Sequence, residues 1–211
     1  LAIIANQRGA EEAVQYDEIS YLGFPFSISE TFQKLNTNST IAESMLRVEE
    51  IQTLCLQHNK QLVIYISMGF GNPYGDTYNA DIAIQWVEAL QKLGIGIFAM
   101  SDTVGVSNPE NISAIFSPLS AAFPSLEFGA HFHSTKETAS EKIDTALKSH
   151  CFRFDSAIGG IGGCPMAQND LVGNLATEQL LLNLEAKGYS LGLNHSALME
   201  AQAMSANIFH V

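Results

Sequence analysis

Gln61-Leu62-Val63-Ile64-Tyr65-Ile66 is an unbroken run of mostly β-branched and aromatic residues, and Gly69–Asp76, with three glycines and Pro73, breaks it. Such a run predicts a strand buried on both faces. The breaker predicts a loop, and the apolar periodicity of Ala80–Leu93 predicts a helix behind it. This strand, loop and helix unit recurs in both directions. Toward the N-terminus, Glu18–Gly23 precedes a loop carrying Pro25 and a long helix from about Ser39 to His58, with Ser39 as its expected N-cap. Earlier still, Leu1–Ala5 precedes a helix near Glu11–Gln15. Toward the C-terminus, Gly96–Met100 leads to a helix over Pro109–Phe123, with Pro109 suited to its first turn. Leu126–His133 leads to a helix over Lys136–His150, and Phe152–Ile158 to a glycine-rich loop and a helix over Leu175–Lys187. A terminal helix, Ser196–Phe209, has no strand after it.

Strands alternating with helices predict a parallel sheet with helical crossovers, either an open doubly wound sheet or a (β/α)8 barrel. No GxGxxG or GxxxxGK[ST] follows any run, which removes the main reason to choose a nucleotide-binding open sheet. Ser67, Asp102, His131, His133 and Asp155 instead gather at the ends of the runs, where a barrel mouth brings strand ends together. The expected fold is therefore an α/β TIM barrel in one catalytic domain, residues 1–211. A barrel has eight units over typically about 250 residues, so six units predict one without its first two, followed by a C-terminal helix.

The composition supports a globular protein. The 211 residues are 46% hydrophobic and 15% charged, enough to bury a large core. Ten Lys and Arg against 22 Asp and Glu leave a net charge of −12, which argues against a nucleic-acid partner. A small anionic substrate stays open, because one pocket can be locally positive on an acidic protein. No apolar run approaches the roughly 20 residues of a membrane span. Three cysteines, Cys55, Cys151 and Cys164, have no disulfide-framework spacing and fit a reducing, cytoplasmic location. Leu198, Ala201, Met204 and Ile208 on the terminal helix are expected to pack on their own barrel; packing on a second subunit, as in a homodimer, is the alternative.

Three local patterns can carry chemistry. In Gly129-Ala130-His131-Phe132-His133 the two histidines point the same way from a strand, roughly 6–7 Å apart. They suit either one divalent cation or two ordinary hydrogen-bonded imidazoles at a strand end. In Gly159-Gly160-Ile161-Gly162-Gly163-Cys164-Pro165 the glycines let the backbone approach a ligand, and Cys164 is a candidate proton donor or nucleophile. Cys55 and Cys151 read as core. In Gly173-Asn174-Leu175-Ala176-Thr177-Glu178, Asn174 is either a helix N-cap or an amide-oxygen ligand for a hard metal.

Together these motifs resemble the 3-hydroxy-3-methylglutaryl-CoA (HMG-CoA) lyase family of metal-dependent barrel lyases, relatives of isopropylmalate synthase-like enzymes. Lys34 to Ser44 is similar to the family segment K-x-N-x-x-x-S-x-E-E-S, and Asp102-Thr103-Val104-Gly105-Val106 to D-T-I-G-V. The family's H-x-H, G-G-C-P-x-A and G-N-L-A-T-E are matched at His131 and His133, at Gly162–Ala167 and at Gly173–Glu178. The resemblance implies a divalent cation, Mg²⁺ or Mn²⁺, held by His131, His133 and Asn174. It also implies an acyl-CoA substrate, Cys164 as the loop thiol exchanging a proton with the acetyl-CoA carbon, and Asp102 and Glu178 lining or supporting the substrate site.

Two departures stand out. The family's H-x-H-D-T-Y-G becomes His131-Phe132-His133-Ser134-Thr135-Lys136-Glu137, losing an acidic neighbour and a glycine. Its R-D-G-x-Q segment, with an arginine and an Asp ligand, has no match. The implied reaction is retro-Claisen cleavage of HMG-CoA to acetyl-CoA and acetoacetate. The alternatives are a zinc hydrolase, a condensing enzyme or aldolase of the same superfamily, and a barrel fragment without activity.

Overall fold

The computed structural model describes residues 1–163 and 172–209. Six strands run in parallel: β1 (Ala2–Ile3), β2 (Tyr21–Ser27), β3 (Gln61–Ser67), β4 (Ile97–Ser101), β5 (Glu127–His131) and β6 (Arg153–Asp155). Each pairs with the next in sequence, giving the order β1-β2-β3-β4-β5-β6. A doubly wound sheet reverses its order at a switch point; this one does not, and its winding is that of a barrel. The curl is visible in one cavity lined by Ile3 of β1 and by His131 and His133 at the end of β5.

Alternation of side chains divides the sheet into two faces. Leu22, Phe24 and Phe26 on β2, Leu62, Ile64 and Ile66 on β3, and Phe98 and Met100 on β4 are buried in the core shared with the helices. Each contributes about 1.5–3 kcal/mol by leaving water. On β5 and just beyond it, Phe128, Ala130 and Phe132 belong to that core, so His131 and His133 face inward.

The helices are α1 (Gln7–Ala13), α2 (Glu30–Thr37), α3 (Ile41–Gln57), α4 (Ala80–Gln91), α5 (Pro109–Ala122), α6 (Ala139–Lys148), α7 (Thr177–Ala186) and α8 (His195–Phe209). Four details differ from expectation. Pro25 lies inside β2, not in a loop. The Gly23 carbonyl faces β1, accepting from Ile4 N–H at 2.8 Å. By alternation Pro25 faces that side too, past the last β1 pair, so its missing N–H costs no ladder bond. The segment expected to be loop contains α2. The long helix is capped by Thr40, which forms a reciprocal capping box with Glu43; Ser39 is buried and receives Arg47 Nη1–H at 3.0 Å. Finally, α8 lies beside the turn at Ile158–Gly160 of its own chain, but among the described residues none of its side chains is fully buried.

Candidate active site

Strand register brings the chemistry to one level. Ser27 pairs with Ser67, Ser101 with His131, and His131 with Asp155. A cavity of about 350 Å³ opens there, at the C-terminal ends of the strands, lined among others by Tyr65, Ser67, Ser101, Thr103, His131, His133 and Asn174. A larger cavity of about 600 Å³ at the opposite end, lined by Phe123, Phe128, Lys148 and His150 among others, gathers no comparable donor set.

The HxH pair does what strand alternation predicts. The His131 and His133 rings lie 5.7 Å apart between centroids. Asn174 joins them because His133 and Asn174 form an antiparallel bridge. It does not cap α7, whose N-cap is Ala176. Asn174 Nδ2 donates to the Ile161 carbonyl at 2.8 Å, which leaves its amide oxygen to accept or ligate. The glycine loop must press close for this contact. Gly162 has φ +99°, and a Cβ there would lie 2.7 Å from Asn174 Nδ2.

Asp102 and Glu178 support the site without lining this cavity. Asp102 is 1% exposed and Lys142 2%. The Lys142 ammonium donates to Asp102 Oδ2 at 3.0 Å and to the His133 carbonyl at 2.7 Å. Ser107 adds its backbone N–H at 2.9 Å and its hydroxyl to the same carboxylate. This buried network ties the end of β4 to the segment carrying His133. Glu178, in the first turn of α7, accepts Gly159 N–H with both carboxylate oxygens at 3.0 and 3.1 Å, holding the base of the glycine loop. Cys164 lies outside the described residues; Cys55 and Cys151 are buried, as expected.

Burial lowers the His133 pKa, and the charge of His131 adds to the effect; Asp102 opposes it and Lys142 reinforces it. A neutral imidazole is the form that ligates a metal. Behind His131 stands a cluster that the motifs did not reveal. Asp155 Oδ2 is 3.3 Å from His131 Nδ1, and Asp155 Oδ1 is 3.5 Å from Arg153 Nη2. The Tyr65 ring meets His131 edge-on at 5.6 Å. Burial works to raise the Asp155 pKa, but the His131 hydrogen bond and the Arg153 charge hold it below the usual carboxylate range. Burial, with the charge of Asp155, pushes the Tyr65 phenol up to about 12. The signal for this cluster was an inward-facing Arg and Asp two apart on a short strand, opposite Gly129. A Cβ on Gly129 would lie 2.7 Å from Arg153 Nη1.

Two imidazole nitrogens and an amide oxygen on one wall, with the rest of the cavity open, suit a dication that shares its coordination with water or substrate oxygens. All three donors are neutral, and no group of three or more His, Cys, Asp or Glu among the described residues is arranged to hold a metal. A dication bound there would share its coordination with further oxygen ligands.

A parallel, sequentially wound, curled sheet with polar side chains at the C-terminal ends of its strands defines the class: a protein of the (β/α)-barrel fold. The chain belongs to the HMGL-like family, whose model matches residues 1–204. It is 32% identical over 200 residues to the hydroxymethylglutaryl-CoA lyase YngG of Bacillus subtilis, covering 95% of this chain and 66% of that protein. Among solved structures, the B. subtilis HMG-CoA lyase superposes with TM-score 0.89 at 32% identity, covering 98% of this chain and 68% of that one. An Acinetobacter baumannii HMG-CoA lyase in complex with coenzyme A and 3-methylmalate superposes with TM-score 0.85 at 28% identity, covering 97% and 66%. The chain spans between about half and two thirds of the length of the curated relatives it matches. No helix among the described residues is long and apolar enough to cross a membrane.

Proposed function

We propose that this protein is a carbon–carbon lyase that cleaves HMG-CoA to acetyl-CoA and acetoacetate, with its reaction centre in the cavity of His131, His133 and Asn174. The convergence of those three side chains, from two separate motifs, on one cavity carries the reading, in a chain of the HMGL-like family. They would hold a divalent cation, Mg²⁺ or Mn²⁺. Bound there, it supplies positive charge that makes the substrate's tertiary hydroxyl more acidic.

The chain's own groups do the rest. Ser67, Ser101 and Thr103 line the same cavity, and their hydroxyls would hydrogen-bond to substrate oxygens. Thr103 Oγ1 also accepts Met68 N–H at 2.9 Å, holding Met68 at φ 60° beside Ser67. When the carbon–carbon bond breaks, the acetyl-CoA carbon needs a proton, and the Cys164 thiol on the glycine loop is the donor in this reading. An acyl-CoA substrate and a reducing, cytoplasmic location belong to the same reading; Cys55 and Cys151 are both free thiols.

The test is acetoacetate release from HMG-CoA, followed by a coupled assay with Mg²⁺ or Mn²⁺. Release that EDTA abolishes is expected. Cys164→Ser is expected to lower turnover about 10²- to 10⁴-fold, the range for a lost general acid, while Mn²⁺ affinity stays within about twofold of wild type. No release with either metal overturns the proposal, and a matching loss of Mn²⁺ affinity in Cys164→Ser makes the thiol a ligand instead.

A further inference from the structure

We infer that Asp155 is the positioning residue for His131: it accepts Nδ1–H and so fixes the imidazole in the tautomer whose Nε2 lone pair faces the cavity. The inference rests on the metal-site reading above and adds to it the group that prepares the ligand. His131 and Asp155 are register partners on adjacent strands, so both project from the inner face at the same level. The contact is Nδ1 to Oδ2 at 3.3 Å. His131 lines the cavity, and the Asp155 carboxylate meets its Nδ1 edge from the neighbouring strand.

A neutral imidazole has one N–H and one lone pair, and an ionised carboxylate can only accept. The proton therefore sits on Nδ1 and the lone pair on Nε2, at the far edge of the ring. The contact fixes which nitrogen carries the proton, not whether the ring is charged. Carboxylates that accept the second N–H of a metal-ligating histidine orient the ring and raise its basicity. Asp155 is itself held. Arg153 Nη2 lies 3.5 Å from Oδ1, and Arg153 Nε lies 3.4 Å from Glu127. The Tyr65 ring meets His131 edge-on at an interplanar angle of 85°.

This arrangement makes an unusual prediction about two variants. In Asp155→Asn, Arg153 still claims the side-chain oxygen and turns the amide nitrogen toward His131. An amide N–H donates, so Nδ1 must become the acceptor and the proton moves to Nε2, where it blocks a metal. Asp155→Ala leaves both tautomers accessible. The isosteric Asn is therefore the more damaging change, whereas a purely structural role predicts that Ala is worse.

The experiment is long-range ¹H–¹⁵N NMR of the metal-free protein at alkaline pH, with Mn²⁺ affinity measured by calorimetry on the same samples. Wild type is expected to show the unprotonated nitrogen of His131 at Nε2, and Asp155→Asn at Nδ1. Mn²⁺ affinity should fall about 10- to 100-fold in Asp155→Asn and less in Asp155→Ala. A wild-type proton on Nε2, or Asn binding Mn²⁺ at least as tightly as Ala, overturns the inference. The expected tautomers with no Mn²⁺ binding by wild type would uphold the assignment while removing the metal-site reading, so the two fail separately.

Discussion

Single residues divide into those whose role is written locally and those whose role depends on strand register. His131 and His133 are of the first kind, because two-residue alternation alone puts them on one face. Asp155 is of the second. Its value lies in standing opposite His131, a pairing between residues 24 positions apart in the chain. Asn174 read equally well as a cap or a ligand; the structure removes the cap, because α7 is capped at Ala176 and Asn174 bridges His133 instead. Lys142 had a visible signal that went unread: it shares a helical face with Ala139, Ile143 and Ala146, all buried, and a lysine there needs a buried partner. That partner, Asp102, defines a prediction. Lys142→Met leaves a buried carboxylate without its counter-ion and should cost about 3–5 kcal/mol in urea unfolding. Adding Asp102→Asn to the same chain should restore part of the loss. Equal or greater destabilisation by the double variant would contradict the pairing.

At the scale of elements, the strands and most helices were legible because their apolar periods are long. The short helix α2 was not. Pro25 looked like a loop signal, and Glu30–Thr37 is only eight residues long. Its start depends on a distant side chain as well as on Ser29, its own N-cap. Asp76, in the loop after β3, accepts Ser29 Oγ–H at 2.6 Å, Thr31 N–H at 3.0 Å and Thr31 Oγ1–H at 3.0 Å. An anion at a helix N-terminus satisfies unpaired N–H groups and complements the helix dipole. Asp76→Ala should therefore destabilise the protein by about 1 kcal/mol, the usual cost of a lost cap. Those hydrogen bonds hold the Asp76 carboxyl below its ordinary pKa, Ser29 contributing most. Because the folded value is the lower one, the charge-dependent stabilisation is complete above the unfolded pKa and is lost as pH falls through the folded one. The stability gap between wild type and Asp76→Asn should shrink across that acid range. A gap that widened on acidification would contradict the capping role.

The molecule as a whole is a sequentially wound parallel sheet whose inner face is polar at one end, and six strand-and-helix units announced that winding in the sequence. The position of the proposed site follows from it, since only the C-terminal ends of the strands carry Ser67, Ser101, His131 and Asp155 together. The three described donors are neutral, so a dication bound there would need further oxygen ligands. The most direct test is an anomalous difference map from crystals of the protein grown with Mn²⁺ and a substrate-like hydroxy acid. The account predicts the strongest peak in the cavity, about 2.0–2.6 Å from His131 Nε2, a His133 nitrogen and the Asn174 amide oxygen. An ordered Mn²⁺ ion elsewhere, with that cavity empty of anomalous signal, would contradict it.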